Sequence, residues 1–194
     1  MSTFTVTPAQ AGAPLSSRRR SGIPAFAGMT KWVLALLATL LFAVPAPAQT
    51  FPPLTGRVVD QAHLLTPSQE RRLSALSDEL ERATSDQLVI VTLKTLGNSD
   101  IADFGKQLGN YWGIGQKRLD NGVLLIVAPN DHKTRIAVGR GLEGLLTDQK
   151  AAAVIADMLP DFRTNRYAIG IERGEKELIA VLVSDKRRPQ RKPA

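Results

Sequence analysis

The stretch DNGVLLIVAPNDHKTRIAV, residues 120–138, decides the fold. Asp120-Asn121-Gly122 has the composition of a turn and leads into Val123–Ala128, an apolar run of strand length with no polar alternation. Such a run belongs to a strand covered on both faces. Pro129–Lys133 is a polar turn, and Thr134–Val138 returns as the second arm of a hairpin.

Upstream, Gln87–Leu93 is a second buried strand by its β-branched content. Between the two strands, Ser99-Asp100 caps a helix whose apolar positions are Ile101, Phe104, Leu108 and Trp112, closed by Gly113 and Gly115. Two strands joined through a helix are expected to run parallel with a right-handed crossover. Trp112 at that helix end is read as packing against the core, with a pocket wall as the alternative.

Further upstream, Thr66-Pro67-Ser68-Gln69 carries an N-cap, a proline at the first helical position and a Gln that completes a capping box. Leu73, Leu76, Leu80 and Ala83 then share one helical face, and the helix should end near Thr84. Arg57–Leu65 is a short apolar stretch ahead of it, and Gln49–Gly56 an extended leader. Downstream, Thr147 can cap a helix with Ala151, Val154, Ile155 and Met158 inward, and a last helix covers Tyr167–Val183. This order gathers the strands together with helices packed on both faces.

The ends of the chain differ from its middle. From Met29 the sequence reads MTKWVLALLATLLFAVPAPAQT: one Lys, then 13 apolar or near-apolar residues from Trp32 to Val44, then an Ala-x-Ala pattern. These are the parts of a secretory signal peptide over 29–48, with cleavage expected after Ala48. The run is short for a membrane span, which needs about 20 residues; an inner-membrane anchor formed by an uncleaved segment 32–48 is the alternative. Residues 1–28 are Pro-, Gly- and Ala-rich without periodicity, and are expected to be disordered or not made, with Met29 the true start.

The formal charge of +7 sits at those ends. Arg18, Arg19, Arg20 and Lys31 lie before residue 49, and Lys186, Arg187, Arg188, Arg191 and Lys192 lie in the tail 186–194. Residues 49–185 hold 16 basic against 18 acidic side chains, so the globular part lacks the electrostatic footprint of a nucleic-acid binder. The basic tail allows at most peripheral contact with an anionic membrane surface. With no cysteine, the chain has no disulfide, thiolate zinc site or Cys nucleophile.

Gly139-Arg140-Gly141-Leu142-Glu143-Gly144 matches the letters of a dinucleotide fingerprint. That fingerprint must open a helix inside a strand–helix–strand unit. Here the helix cap comes later, at Thr147, so no nucleotide is expected and the glycines read as a tight loop. No Gly-x-Ser-x-Gly elbow is present, and His63 and His132 stand in unrelated settings. The carboxylates are the more informative set: Asp60 in an apolar stretch, Asp120 before a strand, Glu143 in the glycine loop and Asp148 beside a helix cap. Oxygen ligands converging at strand ends could hold a hard cation such as calcium. Asp120 has a competing role in its turn, and Asp148 at the helix dipole.

Taken in order, VVDQAHLLT, LVIVTL, YWGIG, NGVLLIVA and RIAVGRGLEGLLTD resemble the TPM-domain family, over roughly Gly56 to Val183. The resemblance implies a Rossmann-like three-layer α/β/α sandwich over residues 49–185, with a mixed sheet of about four strands. It also implies work outside the cytoplasm, with plant relatives linked to photosystem II repair in the thylakoid lumen. Some relatives look like calcium binders, which carried to this chain points to Asp60, Asp120 and Glu143, with Asp148 a weaker member. One branch is ascribed weak acid phosphatase activity. The function expected is a periplasmic accessory or binding module, calcium the candidate cofactor and an unidentified envelope protein the partner. The alternative is a weak metal-assisted acid phosphatase.

Overall fold

The computed structural model describes residues 50–184, so the segments 1–28 and 29–48 and the basic tail 186–194 lie outside the described residues. Val58–Asp60 forms β1, Pro67–Thr84 α1, Gln87–Thr92 β2 and Ile101–Trp112 α2. Gly122–Ala128 forms β3 and Lys133–Val138 β4, followed by α3 (Asp148–Arg163) and α4 (Tyr167–Val183).

The strands make one sheet in the order β1-β2-β3-β4. β1 and β2 are parallel, with Val58 opposite Ile90, and so are β2 and β3, with Gln87 opposite Gly122. β4 runs antiparallel to β3, pairing Val123 with Val138 and Ala128 with Lys133, as the hairpin reading requires. The stretch Arg57–Leu65 supplies the first strand, which its brevity hid among apolar residues leading into a helix.

β3 is buried at all seven positions, and its side chains alternate between two separate cores. Val123, Leu125 and Val127 face one layer, built with Leu73 and Leu80 of α1, Val154 and Met158 of α3, and Ile171 and Leu178 of α4. Leu124 and Ile126 face the other, where Phe104 and Leu108 of α2 cover Val89 and Val91. Burying each of these large side chains contributes about 1.5–3 kcal/mol, so the two cores together fix a three-layer α/β/α sandwich.

The caps follow the sequence closely. Thr66 and Gln69 form the capping box, the Thr66 N–H donating to Gln69 Oε1 at 2.8 Å. Asp100 accepts from the N–H groups of Ala102 (2.8 Å) and Asp103 (3.2 Å), which hold its carboxyl below the usual range. Phe51 packs edge-on to Phe104 at 5.4 Å, and the Trp112 indole donates to the Pro52 carbonyl at 2.8 Å. Trp112 thus ties Phe51-Pro52 to the α2 core, as the packing reading expected.

One end of the sheet is closed by interlocked loops. Gly139 N–H donates to Gly122 O (2.8 Å) and Gly141 N–H to Asp120 O (3.1 Å). A Cβ on Gly139 would overlap the Asp120 carbonyl oxygen, and one on Gly141 the Leu119 carbonyl oxygen. Buried Asn121 ties the same turn inward, accepting from Gln116 N–H (2.8 Å) and donating to Ser85 O (2.5 Å).

Two measurements check this account. Gly141→Ala should lower unfolding stability by about 2 kcal/mol, the scale of an overpacked core, whereas Gly144→Ala, with open space around its Cα, should leave the urea midpoint nearly unchanged. The second concerns Glu175 of α4, fully buried, accepting from Ser77 Oγ at 2.8 Å. Burial raises its pKa from 4.5 to about 8. The unfolded chain ionises near the lower value while the native chain keeps its proton, so stability from this group is full at acid pH and drains away as pH rises between the two. Glu175→Gln should abolish that loss, so the stability gap between variant and parent, followed by urea melts, should widen from pH 4 to pH 8.

Candidate functional site

Where each carboxylate falls is set by strand direction. Asp60 ends β1, so it lies at the carboxyl end of the parallel strands. Asp120 precedes β3 and lies at their amino end; Glu143 follows β4, which runs back to that same amino end. β2 is six residues long, which puts the two ends about 17 Å apart at the usual rise per residue.

The expectation that Asp60, Asp120, Glu143 and Asp148 converge at the carboxyl ends of the strands is therefore corrected. Asp60 is also occupied: it accepts from the N–H groups of Leu64 (3.1 Å) and Leu65 (2.9 Å) and from the Thr92 hydroxyl. Those bonds fold the chain from β1 toward α1 around the end of β2. Asp148 sits in the first turn of α3, where a carboxylate meets the positive helix end.

Asp120 and Glu143 do come together, on one cleft of ≈ 640 Å³ between α2, the start of β3 and the end of β4. Asp120 adopts a left-handed φ of 45°, a conformation that Asp tolerates better than most residues. Both side chains are exposed, and neither carboxylate makes a hydrogen bond or ion pair among the described residues. The interlocked glycines set their backbones, so the letters of the dinucleotide fingerprint serve loop packing. The segment after β4 is a single 3₁₀ turn at Arg140–Leu142, without the strand–helix–strand context of the dinucleotide fingerprint.

The cleft holds residues that the carboxylate reading missed. Asp103 and Lys106 come from α2, Arg135 from β4 and Arg140 from the glycine loop. The signal was present: Gly105 and Gly109 inside a helix each cost about 1 kcal/mol relative to Ala, and with Ala102 they form a small-residue strip that now lines the cleft. At Gly105 the helix lies so close to the sheet that an added Cβ would come within 2.8 Å of Ile126 Cδ1.

Calcium takes six to eight oxygen ligands, and carboxylates are its usual protein donors. Asp120 and Glu143 fit as two such donors by chemistry and by being uncommitted; Asp60 does not, since its oxygens already accept three hydrogen bonds. Among the described residues no three His, Cys, Asp or Glu side chains converge closely enough to cage a metal. The cleft can therefore offer a cation a partial shell, open to water or to a ligand's own oxygens. His63 and His132 lie outside the cleft lining, each exposed with a left-handed backbone. Among the described residues no helix is long and apolar enough to cross a membrane.

Comparison with known proteins agrees with this architecture. A family model described as the TPM domain matches residues 58–181, from β1 into the last turns of α4. The N-terminal domain of a protein from P. gingivalis is similar at 32% identity with a TM-score of 0.62, the match covering 66% of this chain and 82% of that one. The N-terminal domain of cg2496 from Corynebacterium glutamicum shares the fold at 15% identity and a TM-score of 0.55, over 73% of this chain and 90% of that one. The BA42 protein of the psychrophilic bacterium Bizionia argentinensis does so at 20% identity and a TM-score of 0.55, over 66% and 91%. No curated protein matches. With the family model matched over residues 58–181 and the fold shared with the P. gingivalis domain at 32% identity, the chain belongs to the TPM-domain family.

Proposed function

We propose that this chain is an exported, periplasmic accessory module whose α2–β4 cleft binds calcium through Asp120 and Glu143 and presents it to an envelope protein during assembly or maintenance. The observation that carries the reading is the pair of uncommitted carboxylates that the interlocked glycine loops hold on one cleft. Export is supported by the Lys31, Trp32–Val44 and Ala46-Pro47-Ala48 pattern of the N-terminal segment. A partial shell suits an accessory role, because a partner's carboxylate or carbonyl oxygens can complete the coordination.

Calorimetric titration of the purified chain with calcium chloride should give saturable heat with a Kd of about 10⁻⁴–10⁻³ M, the range of extracellular calcium modules. The Asp120→Asn, Glu143→Gln double variant should lose that heat, and Asp148→Asn should retain it. No heat at millimolar calcium contradicts the metal reading.

A second reading, weak metal-assisted acid phosphatase activity, draws on Lys106, Arg135 and Arg140, which line the same cleft. A bound cation supplies Lewis-acid polarisation of a phosphoryl oxygen. The three basic side chains would hold the remaining phosphate oxygens by charge-assisted hydrogen bonds. Hydrolysis of p-nitrophenyl phosphate at acid pH should then fall by at least about tenfold in Arg140→Ala, which removes such a bond. Activity that survives both this substitution and the carboxylate double variant belongs to a contaminant.

A further inference from the structure

We propose that a second cavity, at the far end of the sheet from the cleft, binds a small ligand with a flat aromatic body and a carboxylate. The cavity measures ≈ 410 Å³, inside the range of about 300–1,000 Å³ typical of small-molecule sites. It shares no lining residue with the α2–β4 cleft.

Its floor is the buried end of β3, Val127 and Ala128. One wall is the turn between α3 and α4, where the rings of Phe162 and Tyr167 lie 5.1 Å apart at 33°. That wall is held in place by Asp161, 3% exposed, which pairs with Arg166 and Arg173 at 3.0 Å each. The opposite rim is the β3–β4 hairpin with His132 and Lys133, and Arg163 closes it from α3. His132 and Asn165, both lining the cavity, have left-handed φ values of 51° and 57°.

Charge decides the ligand class. No Asp or Glu lines the cavity. The nearest acids along the chain are committed elsewhere: Asp131 accepts from the Thr95 hydroxyl (2.8 Å) and the Leu96 N–H (2.5 Å), and Asp161 serves its two arginines. Arg163 makes no ion pair among the described residues, whereas the Lys133 side chain lies on the α2 side of the sheet, where its charge acts on Asp100 and Asp131. An aromatic wall beside a planar guanidinium matches a ring that packs on Phe162 and Tyr167 while its carboxylate meets Arg163 at the rim. A bare inorganic anion would use only the rim and leave the aromatic wall in water. A free aromatic acid and the aromatic C-terminal residue of a peptide share this chemistry.

Amide NMR titrations of the purified chain with 2-naphthoate, its neutral isostere 2-naphthamide and N-acetylphenylalanine test the assignment. Naphthoate should shift the amides of Lys133, Thr134, Arg163, Asn165 and Tyr167 and leave those around Asp120 and Glu143 unmoved. Naphthamide should bind about tenfold more weakly, as should naphthoate to Arg163→Ala, the loss expected for a charge-assisted hydrogen bond. Stronger binding of N-acetylphenylalanine than of naphthoate assigns the site to peptide termini, and the reverse to free acids. Equal affinity for naphthoate and naphthamide, or no shifts at these residues, overturns the proposal.

Discussion

Everything in this molecule depends on the demand that β3 be covered on both sides. From Gly122 to Ala128 the strand carries no charged or polar side chain, and all seven residues are buried. A strand of that kind must sit inside a sheet and between two helical layers. The layers are unequal: three helices cover one face, and α2 with the Phe51 segment covers the other. The thinner side leaves α2 close against the sheet at Gly105, and the cleft lies between that helix, the start of β3 and the glycine loop.

That arrangement was largely legible in the residues. The helix caps at Thr66, Asp100 and Thr147 and the hairpin around Pro129 follow from local chemistry, which the sandwich does not override. β1 was harder to read because three residues carry too little periodicity to separate a strand from an apolar lead-in. The site was legible only in part. Asp120 could be read as serving only its turn, while Glu143 stands out because the sequence offers it no structural partner. Asp60 stood out for the same reason and misled, since its partners are backbone amides close in sequence and the hydroxyl of Thr92, 32 residues away. Asp103, Lys106 and Arg135 ride on a helix face and an edge strand whose exposure only the assembled sheet reveals.

Chain direction explains why the carboxylates divide as they do. A residue before a parallel strand and a residue after its antiparallel neighbour must meet at one end, while a residue closing another parallel strand lies at the other. The glycine loop therefore gains its importance from geometry. Gly139 and Gly141 let two loop backbones touch, and that contact carries Asp120 and Glu143 to one cleft. The far end is organised differently, by the Asp60 hydrogen bonds, by Asp131 holding the hairpin turn, and by Asp161 anchoring the α3–α4 turn. Acids at that end are spent on structure, while those at the cleft remain available.

A crystal structure of the chain grown with calcium tests the central claim most directly. The account predicts an ion in contact with both the Asp120 and Glu143 carboxylates, its remaining ligands water, with Asp60 still bonded to Leu64, Leu65 and Thr92. An ion held at the Asp60 end of the sheet, or none bound at saturating calcium, would contradict it.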